Sequence, residues 1–244
     1  MELSIIIPAY DEARKIRGDV EAAGVFLQAH TLSGEIIVVD DGSTDGTAEV
    51  AGRAILPTGI PLTVISHDVQ TGKGAAVRTG VLRSRGTYVM FADAGLTVPY
   101  DNALTGLSLL RAGTCALAHG SRWMSGSRIR RPQDPWRQWI SRIVRVLILR
   151  LLRLPRHLTD TQCGFKVYAG DIARALFAHC RTDHFLFDVE VLVRALQQGY
   201  RVEEFPVDWS CDRDSRLSIR RHTREVLTDL LVIRRLSHRT PSQT

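Results

Sequence analysis

Short apolar runs alternate with helical patterns along the first half of the chain. The apolar runs, each of strand length, occupy residues 3–7, 35–39, 61–66, 87–92 and 114–119. The segments between them that carry apolar positions at helical spacing are residues 11–27, 43–54, 73–84 and 101–111. Strands with near-continuous apolar runs that alternate with helices indicate a parallel sheet covered on both faces. The pattern therefore predicts an α/β fold with a mainly parallel sheet.

The second half of the chain has a different pattern. Residues 122–134 are rich in Gly, Ser, Arg and Pro without periodicity, which predicts a loop. Residues 136–154 place apolar side chains on one helical stripe with most arginines off it, and residues 218–237 form a second basic helix. Between them the pattern predicts a loop and short strand at 160–168, helices at 171–178 and 187–198, and a strand at 202–207. We expect one domain over residues 1–244, with amphipathic basic helices in its C-terminal half.

Charge divides the chain near its middle. The 244 residues have a net charge of +6, but residues 1–121 hold 9 Lys and Arg against 13 Asp and Glu, whereas residues 122–244 hold 23 against 13. Only 3 of the 32 cations are lysine, and the planar arginine fork suits bidentate contact with phosphate. The composition excludes a disordered, collagen-like or coiled-coil chain. The basic half is expected to meet phosphate groups, with a merely solvated arginine surface as the alternative.

Cysteine spacing and apolar run length bear on the cellular location. Cys115, Cys163, Cys180 and Cys211 fit no disulfide or metal-ligand spacing, which is typical of reduced thiols in a cytosolic protein. The start of the chain has no signal-peptide pattern, and no apolar stretch reaches the roughly 20 residues of a membrane-spanning helix. We therefore expect a cytoplasmic protein that does not cross a membrane.

Polar or glycine-rich segments follow all five strands predicted in the first half, at residues 8–12, 40–47, 70–76, 93–95 and 120–122. Ligands on parallel sheets bind beyond the carboxyl ends of the strands. Any one segment could be a turn with a helix cap, but five together predict a binding edge. Carboxylates gather there at Glu12, Asp40, Asp41 and Asp93, with Arg122 beside them. Such a crevice suits a base or ribose, or a divalent cation on a diphosphate.

Other ligand sites are excluded by spacing. His67 and Gly74 stand where a P-loop around Gly72-Lys73 needs glycine and Ser or Thr. The Asp41 segment lacks the last glutamate of an EF-hand, because position 52 is glycine. The turn after the first strand contains no glycine, so a dinucleotide-binding fingerprint is absent.

Five motifs occur in order along the first half of the chain. They are Ile-Ile-Pro-Ala-Tyr-Asp-Glu at 6–12, Val-Val-Asp-Asp-Gly-Ser-Thr-Asp-Gly-Thr at 38–47, Gly-Lys-Gly-Ala-Ala at 72–76, Phe-Ala-Asp-Ala at 91–94 and Gly-Ser-Arg at 120–122. Together they resemble the family 2 glycosyltransferases, which have a GT-A nucleotide-diphospho-sugar transferase fold. Residues 160–166, 187–190 and 207–209 narrow the resemblance to dolichyl- and polyprenyl-phosphate hexosyltransferases, most closely the dolichyl-phosphate β-glucosyltransferases. The resemblance runs from Leu3 to about Leu231.

The resemblance implies a nucleotide-sugar site in residues 1–121 and an acceptor- and membrane-facing half in residues 122–244. The residues implied for the nucleotide sugar are Pro8, Ala9, Tyr10, Glu12, Val39, Asp40, Asp41, Lys73, Asp93, Ala94 and Gly95. Those implied for acceptor or phosphate groups are Arg122, Gln162, Lys166, Arg213 and Arg216. Asp93 and Arg122 are the implied catalytic residues. Asp160 and Asp188 are candidates for sugar binding or a base-like role, with loop capping as the alternative.

One position departs from the family pattern and bears on metal binding. Gly95 replaces the second carboxylate of Asp-x-Asp, so Asp93 is the metal ligand that remains. Three interpretations stay open: Mg²⁺ or Mn²⁺ held by Asp93, diphosphate and water; a metal-independent enzyme in which Arg and Lys supply the charge; or an inactive relative.

The expected activity is inverting transfer of a hexose, glucose before others, from a nucleotide sugar such as UDP-glucose to dolichyl or polyprenyl phosphate. The alternatives are a soluble or polysaccharide acceptor, a mannosyltransferase that uses GDP-mannose, and a non-catalytic basic membrane adaptor. Residues 128–157 contain nine arginines and one acid, so we expect this segment to lie on an anionic membrane surface at the cytosolic face. Nucleic acid is not an expected partner, because aromatic residues are few and no binding motif frames the arginines.

Overall fold

A computed structural model describes residues 1–132, 146, 148–152, 154–155, 157–211 and 219–237. Its strands are β1 (Leu3–Ala9), β2 (Gly34–Asp40), β3 (Leu62–Ser66), β4 (Tyr88–Ala92), β5 (Leu117–Ser121), β6 (Arg128–Arg131), β7 (Phe165–Ala169), β8 (Val202–Pro206) and β9 (Asp208–Ser210). Its helices are α1 (Ile16–Ala29), α2 (Thr47–Gly52), α3 (Lys73–Arg83), a 3-10 turn (Tyr100–Asn102), α4 (Ala103–Arg111), α5 (Gly170–Ala178), α6 (Phe187–Gln197) and α7 (Ile219–Ser237).

Seven strands form one sheet in the order β3-β2-β1-β4-β7-β5-β8. The strands run parallel except β7, which is antiparallel to both β4 and β5. Because β7 runs the other way, it begins at the edge where the parallel strands end. The chain before Phe165 is therefore brought to the edge at which the sequence predicts ligand binding.

Helices cover both faces of this sheet. α1, α2 and α4 pack on one face, and α3, α5, α6 and α7 pack on the other. Side chains of β1 alternate between the two cores, with Ile5 and Ile7 in one and Ile6 in the other, and all three are fully buried. This double coverage is why the central strands β1, β2 and β4 are mostly apolar, and it confirms the predicted α/β architecture.

Two helices begin later than the periodicity predicts. α1 begins at Ile16 rather than residue 11, because Ser43, Asp45 and Thr47 bind the backbone N–H groups of residues 11–13. The same contacts delay α2, which begins at Thr47 rather than residue 43. The motif at 38–47 thus ties two loops together instead of only capping its own helix.

The loop predicted over residues 122–134 is wrong in part, because Arg128–Arg131 forms strand β6. It pairs parallel with β9 in a separate two-stranded sheet. Four residues with three arginines show no apolar alternation, so the sequence pattern could not reveal this strand.

Parts of the predicted basic surface lie outside the described residues. These are Arg213, Arg216 and most of the helix predicted at 136–154. The last predicted helix is confirmed as α7, whose Ile233 is fully buried in the core beneath α6. Within the described parts of the chain, no helix has both the length and the apolar character needed to cross a bilayer.

Candidate active site

The ends of the parallel strands form one cleft. Tyr10 follows β1, Asp41 follows β2, Asp93 follows β4, and Arg122 follows β5. Pro8 and Ala9 in β1 and Val39 and Asp40 in β2 are buried, as is Asp41, whereas Tyr10, Asp93 and Arg122 are partly exposed. The structure therefore brings to one edge the residues that the motifs predict for the nucleotide sugar.

The wall beside β1 and β2 is held by loop-to-loop hydrogen bonds. The N–H of Asp11 donates to Ser43 Oγ at 2.8 Å, and the N–H of Thr44 donates to Asp11 Oδ1 at 3.0 Å. Ser43 also donates to the Asp40 carboxylate, and Glu12 donates its N–H to Thr47 Oγ1 at 2.8 Å. These bonds give Tyr10 and Glu12 defined positions beside the cleft.

Asp41 holds the loop that leads into α3. Its Oδ1 accepts the Thr71 N–H at 3.0 Å and the Thr71 hydroxyl at 2.6 Å, and it lies 2.8 Å from His67 Nδ1. Its Oδ2 accepts the Gly72 N–H at 2.7 Å. Gly72 has a φ of 118°, and a side chain there would overlap Asp183. Any base contact by Asp41 would thus be made by a carboxylate that already fixes the start of α3.

Asp93 and Lys73 form an ion pair inside the cleft, with Lys73 Nζ 2.6 Å from Asp93 Oδ1. Both side chains are partly exposed, Lys73 at 24% and Asp93 at 32%. The N–H of Asp93 donates to the Gly164 carbonyl at 2.9 Å, which connects the end of β4 to the segment before β7. A Cβ at Gly164 would overlap the Asp93 carboxylate, so this close approach requires glycine.

Asp19, on α1, fixes the turn that follows Asp93. Its carboxylate accepts the Gly95 N–H at 3.0 and 2.9 Å and the Leu96 N–H at 2.8 Å. Gly95 and Leu96 have positive φ angles of 93° and 47°, a backbone conformation that residues other than glycine rarely adopt. Asp19 is 1% exposed, and burial raises its pKa from 3.8 to about 6. Gly95, which replaces the second aspartate of Asp-x-Asp, therefore has a backbone conformation suited to glycine.

We expect Asp19→Asn to flatten the dependence of stability on pH. The folded state holds the Asp19 proton more tightly than the unfolded state, so the contribution of Asp19 to the free energy of unfolding grows as pH falls from about 7 to about 4. A difference of about two pKa units corresponds to at most about 3 kcal/mol. Urea unfolding of both proteins at several pH values measures it. If the free energies of unfolding of the two proteins changed equally with pH, the expected titration of Asp19 would be contradicted.

Arg122, which directly follows β5, forms a bidentate pair with Asp160. Nε and Nη2 of Arg122 donate to the two Asp160 oxygens at 2.6 and 2.8 Å. Burial raises the pKa of Asp160, but the charge and hydrogen bonds of Arg122, together with the charge of Lys166, hold the pKa below its ordinary value. The Trp209 ring lies 5.4 Å from the guanidinium carbon, and Glu204 accepts the Thr159 and Asp160 N–H groups, both at 2.7 Å. Asp160 thus orients Arg122.

Lys166 and Asp188 form a buried pair beneath the cleft. Lys166 Nζ donates to Asp188 Oδ2 at 2.8 Å and to the Thr161 carbonyl at 2.9 Å, and the lysine is 0% exposed. Burial raises the pKa of Asp188, with Lys166 offsetting part of that effect. A phosphate could reach Lys166 only if this pair opened. The half-buried Gln162 lies nearer the cleft, and its N–H donates to Asp160 at 3.3 Å.

Three residues that hold the site in place, Asp19, Glu204 and Gly164, could not be predicted from the sequence. Asp19 and Glu204 lie within a helix and a strand, where an acid is normally taken to face solvent, and Gly164 carries no sign of what it touches. Each acts on backbone or side-chain groups far away in the chain, which no local pattern records. Across the residues that the structure describes, no three His, Cys, Asp or Glu side chains meet as a metal-binding group.

Comparisons with known proteins identify the family to which the chain belongs. Residues 4–177 match the sequence profile of Glycosyl transferase family 2. Glycosyltransferase AglD of Haloferax volcanii is 34% identical over 223 residues, which cover 90% of this chain and 35% of AglD. The dolichyl-phosphate β-glucosyltransferase of Drosophila melanogaster is 32% identical over 221 residues, which cover 86% of this chain and 67% of that enzyme.

Among solved structures, glucosyl-3-phosphoglycerate synthase from Mycobacterium tuberculosis in complex with Mn²⁺ and UDP-glucose superposes with a TM-score of 0.71 at 18% identity. The match covers 95% of this chain and 78% of that one. The fold is therefore that of GT-A nucleotide-diphospho-sugar transferases, as the motifs predict. The chain belongs to glycosyltransferase family 2. It spans about a third of AglD and about two thirds of the Drosophila enzyme.

Proposed function

We propose that this chain transfers glucose from UDP-glucose to dolichyl or polyprenyl phosphate, with inversion at the anomeric carbon, at the cytosolic face of a membrane. The observation that carries the proposal is the placement of Lys73, Asp93 and Arg122 around one cleft of a family 2 fold. A relative is named as a dolichyl-phosphate β-glucosyltransferase, and UDP-glucose accompanies the mycobacterial structure of the same fold.

In the proposed step, an oxygen of the acceptor phosphate bonds to the anomeric carbon while the bond from that carbon to the diphosphate breaks. UDP leaves with the electron pair. A phosphate monoester is already anionic near neutral pH, so the reaction requires no strong base. This chemistry agrees with an Asp160 that is engaged by Arg122 rather than free.

The protein's contribution is to position the two substrates and to balance charge. Lys73 and Arg122 both lie near Asp93, where cations would neutralise the charge that develops on the departing diphosphate. Asp93 would bind the ribose or the diphosphate. Asp160 keeps Arg122 in place, and Gly164 lets the chain approach Asp93 closely.

The residues present fit a divalent cation with a single protein carboxylate, that of Asp93. Magnesium is often held by one or two carboxylates together with substrate phosphates and water. The cation would supply positive charge to the diphosphate when bound, and Lys73 would then give up part of its contact with Asp93. Gly95 offers no second carboxylate, and its φ of 93° would strain an aspartate.

Transfer to a short-chain polyprenyl phosphate tests the proposal. The protein is incubated with labelled UDP-glucose or GDP-mannose, with the lipid phosphate or 3-phosphoglycerate, and the products are identified by mass spectrometry. We expect a glucosylated lipid phosphate from UDP-glucose, suppressed by EDTA and restored by Mg²⁺ or Mn²⁺. If neither donor gave a glycolipid, the proposal would be refuted. If EDTA did not reduce the product, Lys73 and Arg122 would supply the positive charge that stabilises the departing diphosphate.

A further inference from the structure

The two-stranded sheet of β6 and β9, here the arginine ribbon, lies apart from the main sheet and presents positive charge. Every residue of β6 is exposed, and its sequence is Arg-Ile-Arg-Arg. Arg128 lies opposite Asp208, and Ile129 lies opposite Trp209. A two-stranded sheet is marginally stable by itself, so a partner that packs against its outer edge would stabilise it.

Two of the three arginines of the ribbon have no acidic partner among the residues that the structure describes. Arg130 pairs with Asp208 at 2.6 Å. Within the described residues, neither Arg128 nor Arg131 has an acidic partner within ion-pair distance. Ile129 is 44% exposed beside them. Among the described residues, the surface therefore combines two arginines that have no acidic partner with exposed apolar area.

The ribbon is built onto the cleft. The N–H of Arg128 donates to the Val207 carbonyl at 3.1 Å, and Ser127 Oγ donates to the Ser121 carbonyl at the end of β5 at 2.6 Å. Trp209 of the ribbon lies against Arg122. A membrane or protein that rests on the ribbon would thus lie next to Arg122, which we propose to contact the diphosphate.

We propose that the arginine ribbon docks on a bilayer that contains anionic lipids and so holds the cleft at the membrane surface. Anionic headgroups complement Arg128 and Arg131, and the exposed side chains of Ile129 and Trp123, the latter 39% exposed, suit the boundary between headgroups and acyl chains. Nucleic acid is less well matched, because the described ribbon offers few aromatic faces for bases. Docking would serve the proposed function, which requires a lipid acceptor. The ribbon contains the first four residues of the segment 128–157 that the sequence predicts for the membrane surface, and it lies outside the two helices predicted as basic.

Vesicle co-sedimentation of R128E/R131E tests the ribbon. The wild-type chain is expected to bind phosphatidylcholine vesicles that contain phosphatidylglycerol, and to bind pure phosphatidylcholine weakly. The double variant should bind the anionic vesicles at least about tenfold more weakly. R128Q/R131Q should fall between the two. Thermal unfolding and UDP binding should stay unchanged, because both arginines are exposed and lie outside the donor cleft.

R53E/R83E is the matched control, because it changes the net charge equally at exposed arginines. Arg53 and Arg83 lie at the far ends of α2 and α3, which run back from the cleft. Equal loss of vesicle binding in both double variants would overturn the proposal, as would unchanged binding by R128E/R131E. Binding of single-stranded RNA without vesicle binding would also overturn it. Vesicle binding without glucosyl transfer would instead refute the proposed function and leave the ribbon as a docking surface.

Discussion

Gly164→Ala should reduce glucosyl transfer at least about 100-fold. A Cβ at this position overlaps the Asp93 carboxylate, so either Asp93 or the segment before β7 must move. A displacement of about 1 Å at a reacting centre is enough for a loss of this size. Steady-state transfer assays with UDP-glucose measure the effect.

Gly18→Ala is the matched control for this variant. Gly18 lies on α1, is exposed, and has no atom within 4 Å of an added Cβ. Its replacement should stabilise the protein by up to about 1 kcal/mol and leave transfer unchanged. G164A should also lose stability, because its Cβ overlaps the Asp93 carboxylate. If this overlap is the sole defect, D93A/G164A should regain that stability but not the activity. Near-normal transfer by G164A would show that Asp93 need not occupy the observed position.

Lys166→Met should lower the free energy of unfolding by about 3–5 kcal/mol. The substitution leaves the Asp188 carboxylate buried without its cation, and the Thr161 carbonyl loses its donor. The loss should shrink as pH falls, because the raised pKa of Asp188 rises further and protonation removes the buried charge. Urea unfolding at several pH values measures both effects.

The double variant K166M/D188L separates a supporting role from phosphate binding. Replacing a whole buried ion pair with apolar side chains is often neutral, so this variant should recover most of the lost stability. If Lys166 instead binds phosphate, as its motif implies, K166M should keep its stability and raise the KM for the acceptor. That outcome would require the buried pair to open during the reaction.

The location of the candidate site follows closely from the sequence. Apolar runs predict strands, and polar segments after them predict a binding edge, because parallel strands end at the same side of a sheet. Asp93 and Arg122 lie at that edge as expected. The role of each residue within the site is harder to predict. Asp160 and Lys166 belong to the same motif, at residues 160–166, but their side chains have different partners. One holds Arg122 beside the cleft, and the other is closed inside the core.

Sequence by itself determined the α/β class, the family and the strand ends at which the chemistry lies, because periodicity reports which faces of each element are buried. The tertiary structure decided the antiparallel insertion of β7 between β4 and β5, the pairing of β6 with β9, and the reach of Asp19 to Gly95. These features depend on which distant segments meet and in which direction they run. A local pattern of apolar and polar residues contains neither piece of information, so the supporting contacts of the site become visible only in the folded chain.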